Sequence, residues 1–147
     1  EISREVILEA QKEGIDQLFL TDPILFSKKL LEGRLKQFND IHHFKKTAIF
    51  YDRGLPDITA YMDYTLVNYP DEFKKICKNN RYDSVFLLPP WKEIYTQDNE
   101  RYESFDEAKK IHHFLLESYK NYGYKVIEVP FDTLTNRMQF IKTSLAH

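Results

Sequence analysis

Three short apolar runs, separated by stretches with helical periodicity, constrain the fold of this chain more than any other feature. The runs occupy residues 47–51, 84–88 and 125–129. Short apolar runs are typical of strands that are buried on both faces of a parallel sheet, and alternating strands and helices indicate crossover connections. The sequence therefore predicts an α/β fold, a three-layer arrangement in which helices cover both faces of a parallel sheet.

Helix signals fill most of the chain between these runs. Pro23 after Asp22, Pro56 after Gly54-Leu55, and Pro70 mark helix starts, while Gly14 and Gly123 mark helix ends. The predicted helices cover residues 2–13, 22–41, 56–67, 71–79, 105–121 and 131–146. The long polar connection at 89–104 has the length of a lid or binding loop.

Composition limits the class of protein. A length of 147 residues favours one domain, residues 1–147, and 42% hydrophobic residues suffice for a core without disulfides. With Cys77 as the only cysteine, no intrachain disulfide can form, which suits a reducing, cytoplasmic location. The net charge of −2 argues against a nucleic-acid polymer as partner, and no apolar run of membrane-spanning length occurs.

An acid, an arginine and a glycine follow the first apolar run directly, as Asp52, Arg53 and Gly54. Ligands of open α/β sheets bind beyond the carboxyl ends of the strands. A carboxylate there can bind a divalent metal, and a guanidinium matches the geometry of phosphate. The pattern predicts a nucleotide-handling site, and the alternative is a helix-capping acid with a surface arginine. Asp57, in the first turn of the next helix, is expected to be a helix-dipole partner and not a ligand.

Five motifs occur in an order that resembles a known family, and together they span nearly the whole chain. They are Glu1-Ile2-Ser3-Arg4-Glu5, the stretch from Phe50 to Asp57, the stretch from Val85 to Trp91, Asp98-Asn99-Glu100-Arg101, and the stretch from Val126 to Pro130. The chain resembles P-loop nucleoside and nucleotide kinases, and within them the predicted bacterial ATPases of the AAA_28 type. The resemblance implies ATP as co-substrate, Mg²⁺ as cofactor, and phosphoryl transfer to a small acceptor or hydrolysis of ATP.

The resemblance also assigns roles to single residues. It implies that Glu1 is the general base on the acceptor hydroxyl, that Asp52 binds Mg²⁺, and that Arg53 orients the substrate or its phosphate. Arg101, in the lid region, would stabilise the charge of the transition state. Nucleotide or substrate binding falls to Arg4, Lys92 and Asp98, with the alternative that Arg4 pairs with Glu1. Two structural interpretations stay open, an ordinary acidic helix start for Glu1 and a solvated loop for the lid residues.

One family hallmark, the Gly-x-x-x-x-Gly-Lys-Ser/Thr loop, does not occur in this sequence. The four glycines lie at positions 14, 33, 54 and 123, and none precedes a lysine. We therefore expect the first strand and the phosphate-binding loop upstream of Glu1, with that strand between the strands at 47–51 and 84–88. The alternatives are a non-catalytic α/β binding or regulatory module that has lost the loop, or a flavodoxin-like scaffold.

The aromatic residues Trp91, Tyr95 and Tyr102 allow two interpretations, stacking on a nucleotide base or packing of the loop onto the sheet. The pairs His42-His43 and His112-His113 are not expected to chelate a metal, because neighbours on a helix point about 100° apart. Cys77 is expected in the core. The acceptor and the oligomeric state cannot be derived from the sequence.

Overall fold

In a computed structural model, the structure describes residues 1–43, 48–96 and 103–146. The chain divides into two compact units, Glu1–Arg81 and Tyr82–His147. The assignment of residues 1–147 to one domain stays a prediction. No helix in the described ranges is long and apolar enough to cross a membrane.

The first unit is helical in its described part. Its helices are α1 (Ile2–Lys12), α2 (Leu18–Thr21), α3 (Pro23–Asn39), α4 (Leu55–Tyr64) and α5 (Asp71–Asn79), and a 3₁₀ turn at Asp40–His43 follows α3. The start signals explain these bounds. For example, Asp22 accepts a hydrogen bond from the backbone N–H of Leu25 at 3.0 Å, and Pro23 takes the first helical position. The helices predicted at 2–13, 22–41, 56–67 and 71–79 are thus confirmed, whereas the single-turn helix α2 was not predicted.

Helix α3 forms the centre of the first unit and contacts α1, α2 and α4. Its buried side chains are Ser27, Leu30, Leu31 and Arg34, which are spaced as one helix face. Gly33 lets α1 approach closely, because a Cβ atom at this position would lie 2.6 Å from Ile2 Cγ2. Leu55, Ile58, Phe73 and the predicted core residue Cys77 are at most 2% exposed. Burial of each large apolar side chain stabilises the fold by about 1.5–3 kcal/mol.

The prediction of a strand at 47–51 is wrong for residues 48–51, the part of this range that the structure describes. Residues 48–51 belong to no strand, and Ile49 and Phe50 are 39% and 68% exposed. The apolar run gave the signal of a buried strand, yet a strand also needs a neighbour that accepts and donates its ladder hydrogen bonds. Within the described residues of the first unit, no segment supplies that neighbour.

The second unit contains a parallel strand–helix–strand arrangement. Strands β1 (Val85–Leu87) and β2 (Val126–Glu128) pair in parallel, with Val85 opposite Val126. Helix α6 (Phe105–Asn121) connects them, helix α7 (Leu134–Leu145) follows β2, and a 3₁₀ turn spans Lys92–Ile94. Both strands form inside their predicted ranges, and the helices at 105–121 and 131–146 are confirmed. In the described part of the chain the sheet has two strands, so the three-layer sheet of the sequence prediction is not confirmed.

Local hydrogen bonds explain the start of α6. Ser104 caps the helix, because its hydroxyl accepts from the N–H of Glu107 at 3.2 Å, and Glu107 in turn accepts from the N–H of Ser104 at 2.8 Å. Helix α7 differs, since its apolar stripe faces solvent in part. Leu134 and Met138 are 73% and 50% exposed.

Candidate functional site

The Glu1 carboxylate lies at the start of α1 and is held by two neighbours on that helix. The Ser3 hydroxyl donates a hydrogen bond to Glu1 Oε1 at 2.6 Å, and Arg4 Nε lies 3.5 Å from Glu1 Oε2. The pKa of Glu1 is lowered, first by the Ser3 hydrogen bond and further by Arg53 and Arg4, while partial burial opposes the shift. Glu1 is therefore ionised near neutral pH.

The Asp52-Arg53-Gly54 turn connects the irregular residues 48–51 to α4. Arg53 adopts a φ of +72°, a left-handed conformation that residues with a Cβ rarely adopt. Gly54 is the residue before α4, and its N–H donates to Asp57 Oδ1 at 3.3 Å. The Gly54 carbonyl accepts from Arg34 Nη1 at 3.1 Å. Both backbone groups of Gly54 thus have side-chain partners, which fixes the turn.

Arg53 is surrounded by acidic groups. Its Nη1 lies 3.5 Å from Asp57 Oδ2, in a pair whose side chains are 43% and 7% exposed. Although burial lowers the pKa of Arg53, the negative charges of Asp57, Asp52 and Glu1, together with Tyr61, raise it overall. The fold of the first unit thereby brings Glu1, far away in sequence, close enough for its charge to act on Arg53.

Asp52 is the residue predicted to bind a divalent metal, and its surroundings can be compared with what Mg²⁺ requires. Its side chain is exposed, and its negative charge acts on the Arg53 guanidinium. Mg²⁺ is usually held by one or two carboxylates together with substrate phosphates and water. Among residues 1–43, 48–96 and 103–146, no three or more His, Cys, Asp or Glu side chains are grouped to hold a metal. A single carboxylate fits Mg²⁺ that arrives with its nucleotide, and Asp52 would be the protein ligand.

The remaining predicted site residues have different surroundings. Arg4 pairs with Glu1, as one of its two predicted roles requires. Asp57 lies in the first turn of α4, as predicted. Lys92 belongs to the second unit, where it is exposed at the first residue of a 3₁₀ turn. Asp98 and Arg101 lie outside the described residues.

The described aromatic side chains of the 89–104 connection, Trp91 and Tyr95, contact their own unit. Trp91 stacks on Phe131 with ring centroids 5.2 Å apart, and the Tyr95 hydroxyl donates to the Glu103 carbonyl at 2.6 Å. Tyr95 also meets the ring of Phe105 edge-on. These contacts favour the packing interpretation for Trp91 and Tyr95, and Tyr102 lies outside the described residues.

Two residues of the site, Arg34 and Ser3, had no predicted role. Arg34 is 7% exposed, although it carries a charge. A signal existed in the sequence, because Arg34 lies three and four positions after Leu31 and Leu30, within the apolar stripe of its helix. For Ser3 the only signal in the sequence was its position two residues after Glu1. A serine near an acidic residue is common at helix starts.

Comparison with known proteins decides the family. A family model described as an AAA domain, AAA_28, matches residues 1–137. The chain belongs to this family. Searches of curated proteins and of solved structures each returned no match.

Membership of the AAA family confirms the resemblance seen in the sequence. It also indicates the general fold and the general class of activity. The family indicates the α/β fold of P-loop NTPases, and it indicates a nucleotide-binding, ATPase-like activity. In this AAA domain, the cluster of Glu1, Asp52 and Arg53 lies within the matched range.

Proposed function

We propose that this AAA domain acts in an ATP-dependent enzyme that transfers the γ-phosphoryl group of Mg·ATP to a small acceptor. The acceptor is a nucleoside or nucleotide hydroxyl, or water in the case of simple hydrolysis. The observation that carries the proposal is the charge cluster at Arg53, whose guanidinium lies 3.5 Å from Asp57 Oδ2 and is also acted on by the negative charges of Asp52 and Glu1. Metal binding, phosphate binding and orientation of an acceptor need the side chains of Asp52, Arg53 and Glu1.

Asp52 and Arg53 act on the phosphate side of the reaction. Mg²⁺ supplies positive charge at the phosphate oxygens, and the exposed Asp52 carboxylate would hold it. Arg53 is 43% exposed on its side chain, and its guanidinium is fully charged, as arginine side chains are at physiological pH. A charged guanidinium binds phosphate oxygens with two parallel hydrogen bonds, which orients the group to be transferred.

Glu1 acts on the acceptor side. A strong general base has a pKa near the working pH, whereas the pKa of Glu1 is lowered by Ser3 and its cationic neighbours. An ionised carboxylate with this pKa accepts a hydrogen bond from the acceptor hydroxyl and orients it toward phosphorus. In a loose transition state the hydroxyl loses its proton late, so orientation contributes more than proton removal.

The remaining site residues complete the proposal. Arg101 would neutralise the charge that develops on the transferring group, and Asp98 and Lys92 would contact nucleotide or substrate. These three roles are supported by the order of the family motifs in the sequence and not by distances in the structure. The triphosphate itself is cradled in P-loop proteins by the backbone of a glycine-rich loop and a helix N-terminus.

Calorimetric titration of the full-length protein with ATP, in the presence and absence of Mg²⁺, tests the proposal. We expect binding that strengthens with Mg²⁺, and we expect Asp52→Asn to remove most of that gain. Asp16→Asn is the matched control, because Asp16 is an exposed acid of the same unit that lies outside the cluster. Absence of ATP binding, or binding that Mg²⁺ does not change, would contradict the proposal and favour a non-catalytic binding module.

A further inference from the structure

Arg34 is a buried cation in the middle of α3. The residue is only 7% exposed, and its Nη1 donates a buried hydrogen bond of 3.1 Å to the Gly54 carbonyl. Burial of a guanidinium is costly unless a specific contact offsets the loss of hydration. The contact that the structure shows is made to a neutral backbone carbonyl, next to the turn that carries Asp52 and Arg53.

That turn requires support. Arg53 has a φ of +72°, which is unfavourable for a residue with a Cβ. The two backbone groups of the next residue are both anchored: the Gly54 N–H by Asp57 Oδ1 at 3.3 Å, and the carbonyl by Arg34. Asp57 belongs to α4 and Arg34 to α3, so two different helices hold one residue. Strained conformations persist where the surrounding structure determines them in this way.

We propose that Arg34 is a positioning residue that holds the Asp52-Arg53-Gly54 turn in its left-handed conformation. Through Gly54 it fixes the directions of the Asp52 carboxylate and the Arg53 guanidinium. The consequence for catalysis rests on the proposed function, in which these two side chains meet Mg²⁺ and phosphate. Arg34 itself does not touch the substrate.

A positioning role and a merely structural role differ in what they change. If Arg34 only stabilises α3 against α4, its replacement lowers the melting temperature and leaves the turnover of folded protein unchanged. If it positions the turn, its replacement also loosens Gly54 and lowers kcat, while KM for Mg·ATP changes little. The kcat effect follows because small misplacements of catalytic groups cost up to about 100-fold.

The test compares Arg34→Gln with Lys28→Gln in the full-length protein. Lys28 is an exposed cation on the same helix, so both variants remove one positive charge from α3. Amide hydrogen exchange at Gly54, measured by NMR, reports on the turn directly, and kcat and KM are measured well below the melting temperature. For Arg34→Gln we expect exchange at Gly54 to be faster by about tenfold or more, as for loss of a charged hydrogen bond, with a similar or larger fall in kcat. Lys28→Gln is expected to match wild type.

Equal Gly54 exchange and equal kcat in the two variants would overturn the inference and make Arg34 structural. A wild-type protein without turnover would overturn the proposed function instead, and exchange at Gly54 then decides alone whether Arg34 holds the turn. If Arg34→Gln does not fold, Arg34→Lys replaces it, because lysine keeps the charge and a donor but loses the planar fork. If Arg34→Lys shows Gly54 exchange faster than wild type and kcat lower than wild type, the inference is supported. Wild-type values of both quantities in Arg34→Lys would overturn it.

Discussion

The hydroxyl of Ser3 donates a hydrogen bond of 2.6 Å to Glu1 Oε1, and this contact is the largest cause of the lowered pKa of Glu1. It makes the charge state of the Glu1 carboxylate, which we propose acts on the acceptor, depend on a neighbour that does not itself ionise. Arg53, from the turn before α4, adds to the same shift. The protonation of Glu1 therefore reports on the integrity of the whole cluster.

Replacement of Ser3 by alanine should raise the pKa of Glu1. A carboxylate whose folded-state pKa lies below its ordinary value of 4.5 stabilises the fold above that pH, and the contribution is lost as the pH falls through the folded pKa. In Ser3→Ala the folded-state pKa lies closer to the ordinary value, so the stabilisation is smaller and its loss is complete at a higher pH. The acid limb of kcat/KM moves upward with the folded-state pKa. The measurement is a pH profile of kcat/KM between about pH 3 and 7 with unfolding curves at each pH. Ser144→Ala, which removes an equally small hydroxyl from α7, should leave the acid limb in place.

Asp57 should be important for stability as well as for the site. It is buried at the start of α4, accepts from the Gly54 N–H at 3.3 Å and pairs with Arg53. Asp57→Ala leaves the Gly54 donor and the Arg53 charge without this partner, so we expect a loss of about 2 kcal/mol in the free energy of unfolding. Asp71→Ala changes an exposed acid in the first turn of α5 and should cost about 0.5 kcal/mol. Urea denaturation compares the two, and similar losses would mean that Asp57 is an ordinary helix-dipole partner.

Much of the fold was predictable because local signals determine where helices start and end. Helices α5 and α6 have the predicted bounds, since Pro70 marks the start of α5 in the sequence and the Ser104 side chain caps α6 in the structure. The apolar run at 47–51 was misleading because a strand depends on a distant partner that no local pattern reveals. The Asp52-Arg53 pair was singled out because it follows that run, and its role in a site stays a prediction. The contact of Arg34 with Gly54, twenty residues away, has no local signal in the sequence.

Leu66 should be replaceable by glycine with a gain in stability. It follows the C-terminal end of α4 with a φ of +57°, and its side chain is 88% exposed. The N–H groups of Leu66 and Val67 bond to the carbonyls of Asp63 and Met62, so the backbone geometry is that of a glycine-favouring helix end. Leu66→Gly should stabilise the protein by about 0.5–1 kcal/mol. A lower melting temperature for Leu66→Gly would contradict this.

Gly123 allows the opposite substitution, from glycine to a residue with a Cβ atom at a positive φ. It has a φ of +82° and open space around the position of a Cβ atom, so Gly123→Ala tests the backbone conformation without a steric contact. We expect it to cost about 1 kcal/mol, measured in the same thermal or urea denaturation.

The contact between α1 and α3 should not tolerate a side chain at Gly33. An added Cβ atom would lie 2.6 Å from Ile2 Cγ2, so Gly33→Ala should destabilise the protein by about 1–3 kcal/mol despite the better helix propensity of alanine. In an Ile2→Ala background the obstructing methyl is gone, and the same Gly33→Ala change should become neutral or stabilising. Equal costs in both backgrounds, measured by urea denaturation, would show that Ile2 is not the obstacle.

The account depends most on Arg53, whose guanidinium pairs with Asp57 and is acted on by the charges of Asp52 and Glu1. The decisive measurement is formation of ADP from Mg·ATP by the full-length protein, with and without added nucleosides, compared for wild type, Arg53→Gln and Arg81→Gln, with melting temperatures for all three. Arg81 is an exposed arginine of the same unit and serves as the charge-matched control. We expect Arg53→Gln to lower kcat by about 100- to 1,000-fold and Arg81→Gln to leave it unchanged. If the wild type is active and folded Arg53→Gln keeps the same kcat, the result contradicts the account.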